Sequence, residues 1–242
     1  MHAFNHEGYS VVLMHFRGCA TQDNRLPRSY HSGESGDARE FIAHLHTKYP
    51  KAQLFAIGYS LGANMLLKLL GETKEKSFLQ KAVGVSAPLQ LDISANAINE
   101  GLAKYYQAYL VRALNKSLER KYNTHNMESL LHIKRSAVHK LKTFWEFDAA
   151  YTAPIHGFAS VEDYYKKSSA KQFLKNIQIP TLIIHALDDP FMSPEVIPTQ
   201  TEISKSIQLE VSQYGGHVGF IGGSIFKPEY WLEKRIIAFF KE

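Results

Sequence analysis

The stretch Leu54-Phe-Ala-Ile-Gly-Tyr-Ser-Leu-Gly-Ala-Asn-Met-Leu-Leu-Lys-Leu-Leu70 decides the fold. It begins with an apolar run, Leu54 to Ile57, short enough for a buried strand. It ends in a helix-like run, Ala63 to Leu70, free of glycine and proline. Between them stands Gly58-Tyr-Ser-Leu-Gly62. A serine between two glycines at a strand-to-helix turn is the pattern of a nucleophile elbow, which leaves the hydroxyl exposed on a strained corner. Both glycines are expected to be steric necessities, since so tight a turn leaves no room for a side chain at either flank. The pentapeptide also arises by chance, so residues further along the chain decide its meaning.

Two later segments supply them. Pro180-Thr-Leu-Ile-Ile-His185 reads as a short buried strand, with Asp188 and Asp189 just past its end. Ile207 to Val211 alternates apolar and polar residues, and Tyr214-Gly-Gly-His-Val-Gly219 follows it. The chain order is therefore Ser60, then an aspartate, then His217, each on a loop after a strand. That order is the one found in α/β hydrolases. His217 is expected to take the proton of Ser60, because neutral imidazole titrates near working pH. The carboxylate would hold the ring tautomer and stabilise the imidazolium. An acyl-enzyme on Ser60 would follow, with the backbone N–H of Leu61 as one oxyanion donor. Of the two acids, Asp189 is favoured, with Asp188 shaping the loop. His185, at the strand end beside the acid, is read as a packed residue and not as a second base.

The rest of the chain is compatible with such a scaffold. Its 242 residues, 45% hydrophobic, suffice for one sizeable core. A single cysteine, Cys19, allows no intrachain disulfide, which points to a reducing, cytoplasmic setting. Cys19 has no elbow around it and is read as a structural residue. No apolar run reaches the roughly 20 residues of a membrane span, and the first residues are not a signal peptide.

Strands are expected at Tyr9 to His15, Gln53 to Tyr59 and Ala82 to Val85, with a polar loop over Arg17 to His31 and a helix carrying Ala38, Phe41, Ile42, Leu45 and Tyr49 on one face. Strands alternating with helices imply a mostly parallel sheet. After Pro88 the strand rhythm stops. Leu102, Tyr106, Tyr109, Leu110, Ala113, Leu114 and Leu118 follow helical spacing, and a second helical pattern covers roughly Met127 to Phe144. The expected organisation is a hydrolase core at 1–88 carrying the elbow, a helical lid insertion at 89–170, and a second core segment at 171–242 carrying the acid and the histidine. The last helix is expected from Pro228, with Trp231, Leu232, Ile236, Phe239 and Phe240 in its stripe and Arg235 as the one charged member.

Charge is uneven. The net charge is +5, but residues 100–142 hold nine Lys or Arg against three Glu. A solvated face explains this simply, and peripheral attraction to an anionic membrane is the sharper reading. No nucleic-acid reader motif accompanies the charge. His125, His132 and His139 recur every seven residues and would share a helix face, but zinc helices use i and i+4. No metal and no cofactor are expected. Gly215 to Gly223 lacks the Lys-Ser/Thr of a phosphate loop, so its glycines are read as placing His217.

These segments resemble the YheT-like family of α/β hydrolases. The resemblance rests on Met14-His-Phe-Arg-Gly-Cys19, Asn24-Arg-Leu-Pro-Arg-Ser-Tyr-His-Ser-Gly33, Gly58-Tyr-Ser-Leu-Gly-Ala-Asn64, Glu146-Phe-Asp148, Asp163-Tyr-Tyr165, His185-Ala-Leu-Asp-Asp-Pro-Phe191 and Gly215-Gly-His-Val-Gly-Phe220. It implies Ser60 as nucleophile, Asp189 as acid and His217 as base, acting on carboxylic esters such as short-chain esters or monoacylglycerols. Some relatives pass the acyl group to alcohols, so an acyltransferase is the alternative enzyme. The family begins with further strands, one of which ends in a His-Gly segment that supplies a second oxyanion N–H. This chain has no such segment before Tyr9. The expectation is an N-terminally truncated fold, with two apolar strands lacking their usual neighbour and impaired catalysis. A non-catalytic remnant is the further alternative.

Overall fold

The computed structural model describes every residue except Thr21 and Ile225. In chain order the elements begin with α1 (His2–His6), α2 (Gly36–Lys48), β1 (Phe55–Tyr59), α3 (Leu61–Thr73) and β2 (Lys81–Val85). Then come α4 (Leu91–Ala97), α5 (Ala103–Lys121), α6 (Met127–Leu131), α7 (Phe144–Phe147), α8 (Ala153–Ile155) and α9 (Val161–Ser168). The chain closes with β3 (Thr181–Ala186), β4 (Ile207–Ser212), β5 (Ile221–Ser224), β6 (Lys227–Tyr230) and α10 (Trp231–Lys241). Residues 1–14, 32–89 and 169–242 form one compact unit, and residues 15–31 and 90–168 another. No helix among the described residues is long and apolar enough to cross a membrane.

The first unit is built on a parallel sheet of order β1-β2-β3-β4. The central strands β2 and β3 are apolar on both faces, as strands covered on both sides require, while the edge strand β4 alternates apolar with polar residues. Ala82 and Ile183 face the side covered by Leu66, Leu67 and Leu70 of α3. Val83, Val85, Leu182 and Ile184 face Leu232, Ile236, Phe239 and Phe240 of α10. Gly84 lets α3 approach, since a Cβ there would lie 3.0 Å from Leu67. The charged member of the α10 stripe, Arg235, pairs with Glu210 of β4 through Nε and Nη2, at 2.9 and 2.7 Å.

Several expected elements differ. Tyr9 to His15 is not a strand among the described residues. Tyr9 and Val11 pack on the α10 side of the sheet, while Val12 and Leu13 are exposed. Among the described residues β1 has a ladder only with β2, and no strand pairs with this segment. The last helix starts at Trp231, not Pro228. Lys227–Tyr230 pairs instead with Ile221–Ser224 as an antiparallel hairpin.

In the second unit, Met127 to Phe144 is not one helix. α6 stops after Leu131 because His132 adopts a left-handed conformation, φ 55°, and a 3-10 turn at Arg135–Lys140 follows. His125, His132 and His139 therefore do not share a helix face. The core of this unit is Leu118, Met127, Leu131, Val138, Phe147 and Tyr151.

The Asn24 segment is tied to the same unit. Asn24 Nδ2 donates to the carbonyls of Leu26 and Arg28. Lys121 donates to Asn24 Oδ1 and to the Leu26 carbonyl, both at 2.8 Å. Arg120 pairs with Asp23, and Tyr151 donates to the Pro27 carbonyl. Asp148, buried at the start of a π turn, accepts from Thr152 at 2.5 Å and from Tyr165 at 2.8 Å. Burial raises its pKa to about 6, against the lowering effect of those two bonds.

Candidate active site

The register of the sheet brings four chain corners to one edge. Gly58 lies opposite Gly84 and Tyr59 opposite Val85. Val85 lies opposite Ile184, and Ile184 opposite Glu210. Ser60, Ser86, the Asp188–Asp189 pair and the His217 loop thus all leave the carboxyl ends of neighbouring strands, where open α/β sheets carry their sites.

Ser60 sits on the corner between β1 and α3 with φ 50° and ψ −121°. Non-glycine residues seldom occupy this region, which costs on the order of 1–3 kcal/mol. The corner is held by the Ser60 N–H, which donates to the Val85 carbonyl at 2.8 Å, and by the Ser60 carbonyl, which accepts from Ala63 and Asn64. The two glycines of the pentapeptide are not equivalent. A Cβ on Gly58 would lie 2.5 Å from the Gly62 carbonyl and 2.6 Å from Ala63 Cα. A Cβ on Gly62 would meet nothing within 4 Å. Only the first glycine is a steric necessity; the turn folds over its own start and leaves the second flank open.

His217 Nε2 lies 2.8 Å from Ser60 Oγ, and His217 Nδ1 lies 2.8 Å from Asp189 Oδ2. A carboxylate only accepts, so Nδ1 carries the proton and donates it. Nε2 is then left with its lone pair to accept from the Ser60 hydroxyl. The Asp189 side chain is 1% exposed and that of His217 13%. The second oxygen of Asp189, Oδ1, accepts from the Phe191 N–H at 2.9 Å. Both carboxylate oxygens are thereby fixed in direction. The Phe191 ring packs 4.7 Å from the imidazole, centroid to centroid.

The neighbouring acid has a different job. Asp188 Oδ1 accepts from the Gly216 N–H at 2.8 Å. On the other side of the histidine, Val218 N–H donates to Ser86 Oγ at 3.2 Å. His217 is therefore held by a bond on each adjoining residue. The loop needs them: Val218 has φ 58° and Phe220 φ 47°, positions that β-branched and bulky residues avoid. Gly216, at φ 57°, relieves the same turn without cost.

Ser86 is the residue that sequence reasoning missed, since Ser86-Ala-Pro88 reads simply as the end of a strand. A signal was present. Gly84-Val-Ser86 repeats Gly58-Tyr-Ser60 one strand over. Both serines have φ 50°, and the Ser86 N–H donates to the Ile184 carbonyl as that of Ser60 does to Val85. His185 is buried in β3. Burial pushes its pKa down, in part against the attraction of Asp189, so it is a neutral, packed residue. Leu61 is the first residue of α3, where a backbone N–H has no intrahelical acceptor. Asn64, buried one turn on, bridges the helix to the Ser32 carbonyl and the Ala170 N–H, both at 2.9 Å.

A family model described as the alpha/beta hydrolase fold matches residues 1–224. The chain belongs to the YheT-like branch of the α/β-hydrolase family. It is 42% identical over 229 residues to YheT, a candidate esterase of Escherichia coli (strain K12), covering 95% of this chain and 67% of YheT. It is 31% identical to human phospholipase ABHD3, covering 92% of this chain and 54% of ABHD3. The chain thus spans between half and two thirds of these relatives' lengths. Among solved structures, the Pyrococcus furiosus esterase Pf2001 superposes with a TM-score of 0.56 at 17% identity, over 99% of this chain and 72% of that one. At that identity the likeness speaks for the fold alone.

Proposed function

We propose that this chain is a serine hydrolase of carboxylic esters, short-chain or monoacylglycerol-like, working through an acyl-enzyme on Ser60. The observation that carries the reading is the unbroken bond series from Ser60 Oγ to His217 to Asp189, with 2.8 Å at each step. The relatives' names, one of them a phospholipase, agree with an ester bond in a lipid as the target.

In this reading Ser60 Oγ attacks the ester carbonyl carbon while its proton passes to His217 Nε2. Negative charge moves onto the carbonyl oxygen, where the Leu61 N–H stabilises it. The C–O bond to the alcohol then breaks, and the imidazolium returns the proton to the leaving oxygen. Water attacks the acyl-serine by the same route, giving the acid and free Ser60. Asp189 stays ionised throughout and steadies the imidazolium. The helical insertion at 89–170 acts as a lid in this reading.

A fluorophosphonate probe tests the nucleophile without a known substrate. Labelling is expected on Ser60 alone, located by mass spectrometry, and is lost in Ser60→Ala. Label on another serine, or labelling that survives the substitution, rejects the reading.

A further inference from the structure

α5 is amphipathic the wrong way round. The face it turns inward carries Ala103, Gln107, Val111, Asn115 and Leu118. Two of these five are amides, and both are committed to fixed partners. Gln107 donates to Asn99 Oδ1 at 2.6 Å and accepts from the Phe144 N–H at 2.9 Å. Asn115 donates to the Leu141 carbonyl at 2.9 Å. The outward face begins with four large apolar or aromatic side chains: Leu102 is 84% exposed, Tyr105 67%, Tyr106 44% and Tyr109 67%. Their spacing of i, i+3, i+4 and i+7 makes one stripe. The helical spacing groups Leu102, Tyr106 and Tyr109 with Leu118; the fold buries Leu118 and leaves the other three exposed. Scattered apolar residues on a surface need no explanation, but a contiguous stripe marks an interaction site.

The chemistry of the stripe selects the partner. Tyrosine presents an apolar ring and a polar tip, the combination enriched where hydrocarbon meets headgroups. Arg112 and Lys116 continue the line of Tyr105 and Tyr109 along α5, Lys104 is the neighbour of Tyr105, all three are exposed, and among the described residues none of them forms a salt bridge. Lys104 Nζ lies over the Tyr105 ring at 5.4 Å, and Arg112 reaches only the Ala108 carbonyl of its own helix. The two cations at the end of the helix are already used, Arg120 on Asp23 and Lys121 on Asn24 and Leu26. The exposed cations are therefore gathered beside the aromatic stripe. A helix with aromatic and aliphatic groups on its outward face and exposed cations close by is the pattern of an interfacial amphipathic helix.

We infer that the outward face of α5 docks on an anionic lipid surface, with Leu102, Tyr105 and Tyr109 at the hydrocarbon boundary and Lys104, Arg112 and Lys116 among the headgroups. The inference deepens the reading of the chain as a lipid ester hydrolase. Its test reads binding and not turnover, so either can fail alone.

The experiment is co-sedimentation of the full chain with phosphatidylcholine vesicles, with and without about 30% phosphatidylglycerol, at salt from about 0.05 to 0.5 M. Binding is expected only with the anionic lipid, and it falls as salt is raised. Lys104→Gln, Arg112→Gln and Lys116→Gln should each weaken it about fivefold, on the order of a hundredfold together. Tyr105→Ser and Tyr109→Ser should each weaken it about tenfold. All five positions are exposed, so thermal melts should match the parent and separate lost docking from lost folding. Ser60→Ala should bind as the parent does. Equal binding to neutral vesicles, salt-independent binding, or none overturns the inference. So does a concentration-dependent dimer that the tyrosine substitutions dissociate, which would assign the stripe to a second copy of the chain.

Discussion

The two aspartates past β3 offer the sharpest test of the site, because the same chemical change at adjacent positions has consequences of very different size. Asp189 Oδ1 is taken by the Phe191 N–H and Oδ2 by His217 Nδ1. An asparagine at this position can satisfy Phe191 only with its carbonyl, which turns its NH2 toward His217. The reverse orientation sets the NH2 against the Phe191 N–H, donor against donor, at a residue only 5% exposed. Nδ1 must then accept, the ring proton moves to Nε2, and an N–H faces Ser60 Oγ where a lone pair is needed. Asp188→Asn keeps a carbonyl for the Gly216 N–H and loses only the charge that strengthens that bond.

The magnitudes separate well. The same Asp-to-Asn change in another Ser-His-Asp triad lowers kcat by about 10⁴, equivalent to about 5 kcal/mol of barrier. Weakening one hydrogen bond at Asp188 is worth about 1 kcal/mol, or less than about tenfold in rate. The readouts are kcat on a p-nitrophenyl ester and the rate of fluorophosphonate labelling, each corrected by Ser60→Ala. Equal losses, or a larger loss for Asp188→Asn, refute the assignment of Asp189 as the acid.

Ser86→Ala removes the acceptor of the Val218 N–H, a loss of about 1–3 kcal/mol for a partly buried group. It should lower kcat roughly tenfold through a less ordered His217 while KM holds; an unchanged kcat would mean that the loop is held without this bond. Asp148 should make stability pH-dependent. Its folded pKa of about 6 lies above the ordinary 3.8, so between these values the folded state binds more protons than the unfolded state. Its contribution is most favourable below about pH 4 and is lost as pH rises through 6, by about 3 kcal/mol in all. Urea midpoints measured from pH 4 to 7 should show this fall in the parent and not in Asp148→Asn. Parallel curves would reject it.

What the sequence discloses and what it hides divide along physical lines. β2, β3 and the elbow are legible because burial on both sheet faces writes continuous apolar runs, β4 because its alternation of apolar and polar residues has the period of a strand exposed on one face, and the strand–glycine–serine turn is local. The triad is legible because each member follows such a strand. Tyr9 to His15 carries a strand's residues, but a strand is made by its neighbour, and pairing is not encoded in the segment itself. The pairing of Ile221–Ser224 with Lys227–Tyr230 is hidden because Pro228 looks like a helix start. Yet Pro has no N–H to give, and a two-stranded ribbon tolerates it where a central strand would not. The break of Met127–Phe144 rests on one left-handed residue, His132, and apolar spacing is blind to backbone hand. α5 misleads differently: its period is right, but two amides lie inside and four apolar groups outside. A scale that ranks residues by hydrophobicity must choose the wrong face.

The distribution of strain ties these observations together. Six described non-glycine residues have positive φ, and four of them, Ser60, Ser86, Val218 and Phe220, belong to the carboxyl edge of the sheet. At on the order of 1–3 kcal/mol each, that is a large fraction of a domain's net stability. Such conformations persist only where the surroundings determine them. Here the ladder bonds of Ser60 and Ser86 continue the sheet by one residue, and Phe220 is anchored in the core with Leu232 and Ile236. The consequence is directional. Anything that loosens β1 to β3 or the α10 face releases Ser60 and the His217 loop first, because those corners relax downhill. Binding geometry at Ser60 should therefore fail before the fold does, with fluorophosphonate labelling lost at a lower urea concentration than the helical circular-dichroism signal. Coincident loss of the two would show that the strained edge is as stable as the sheet that carries it.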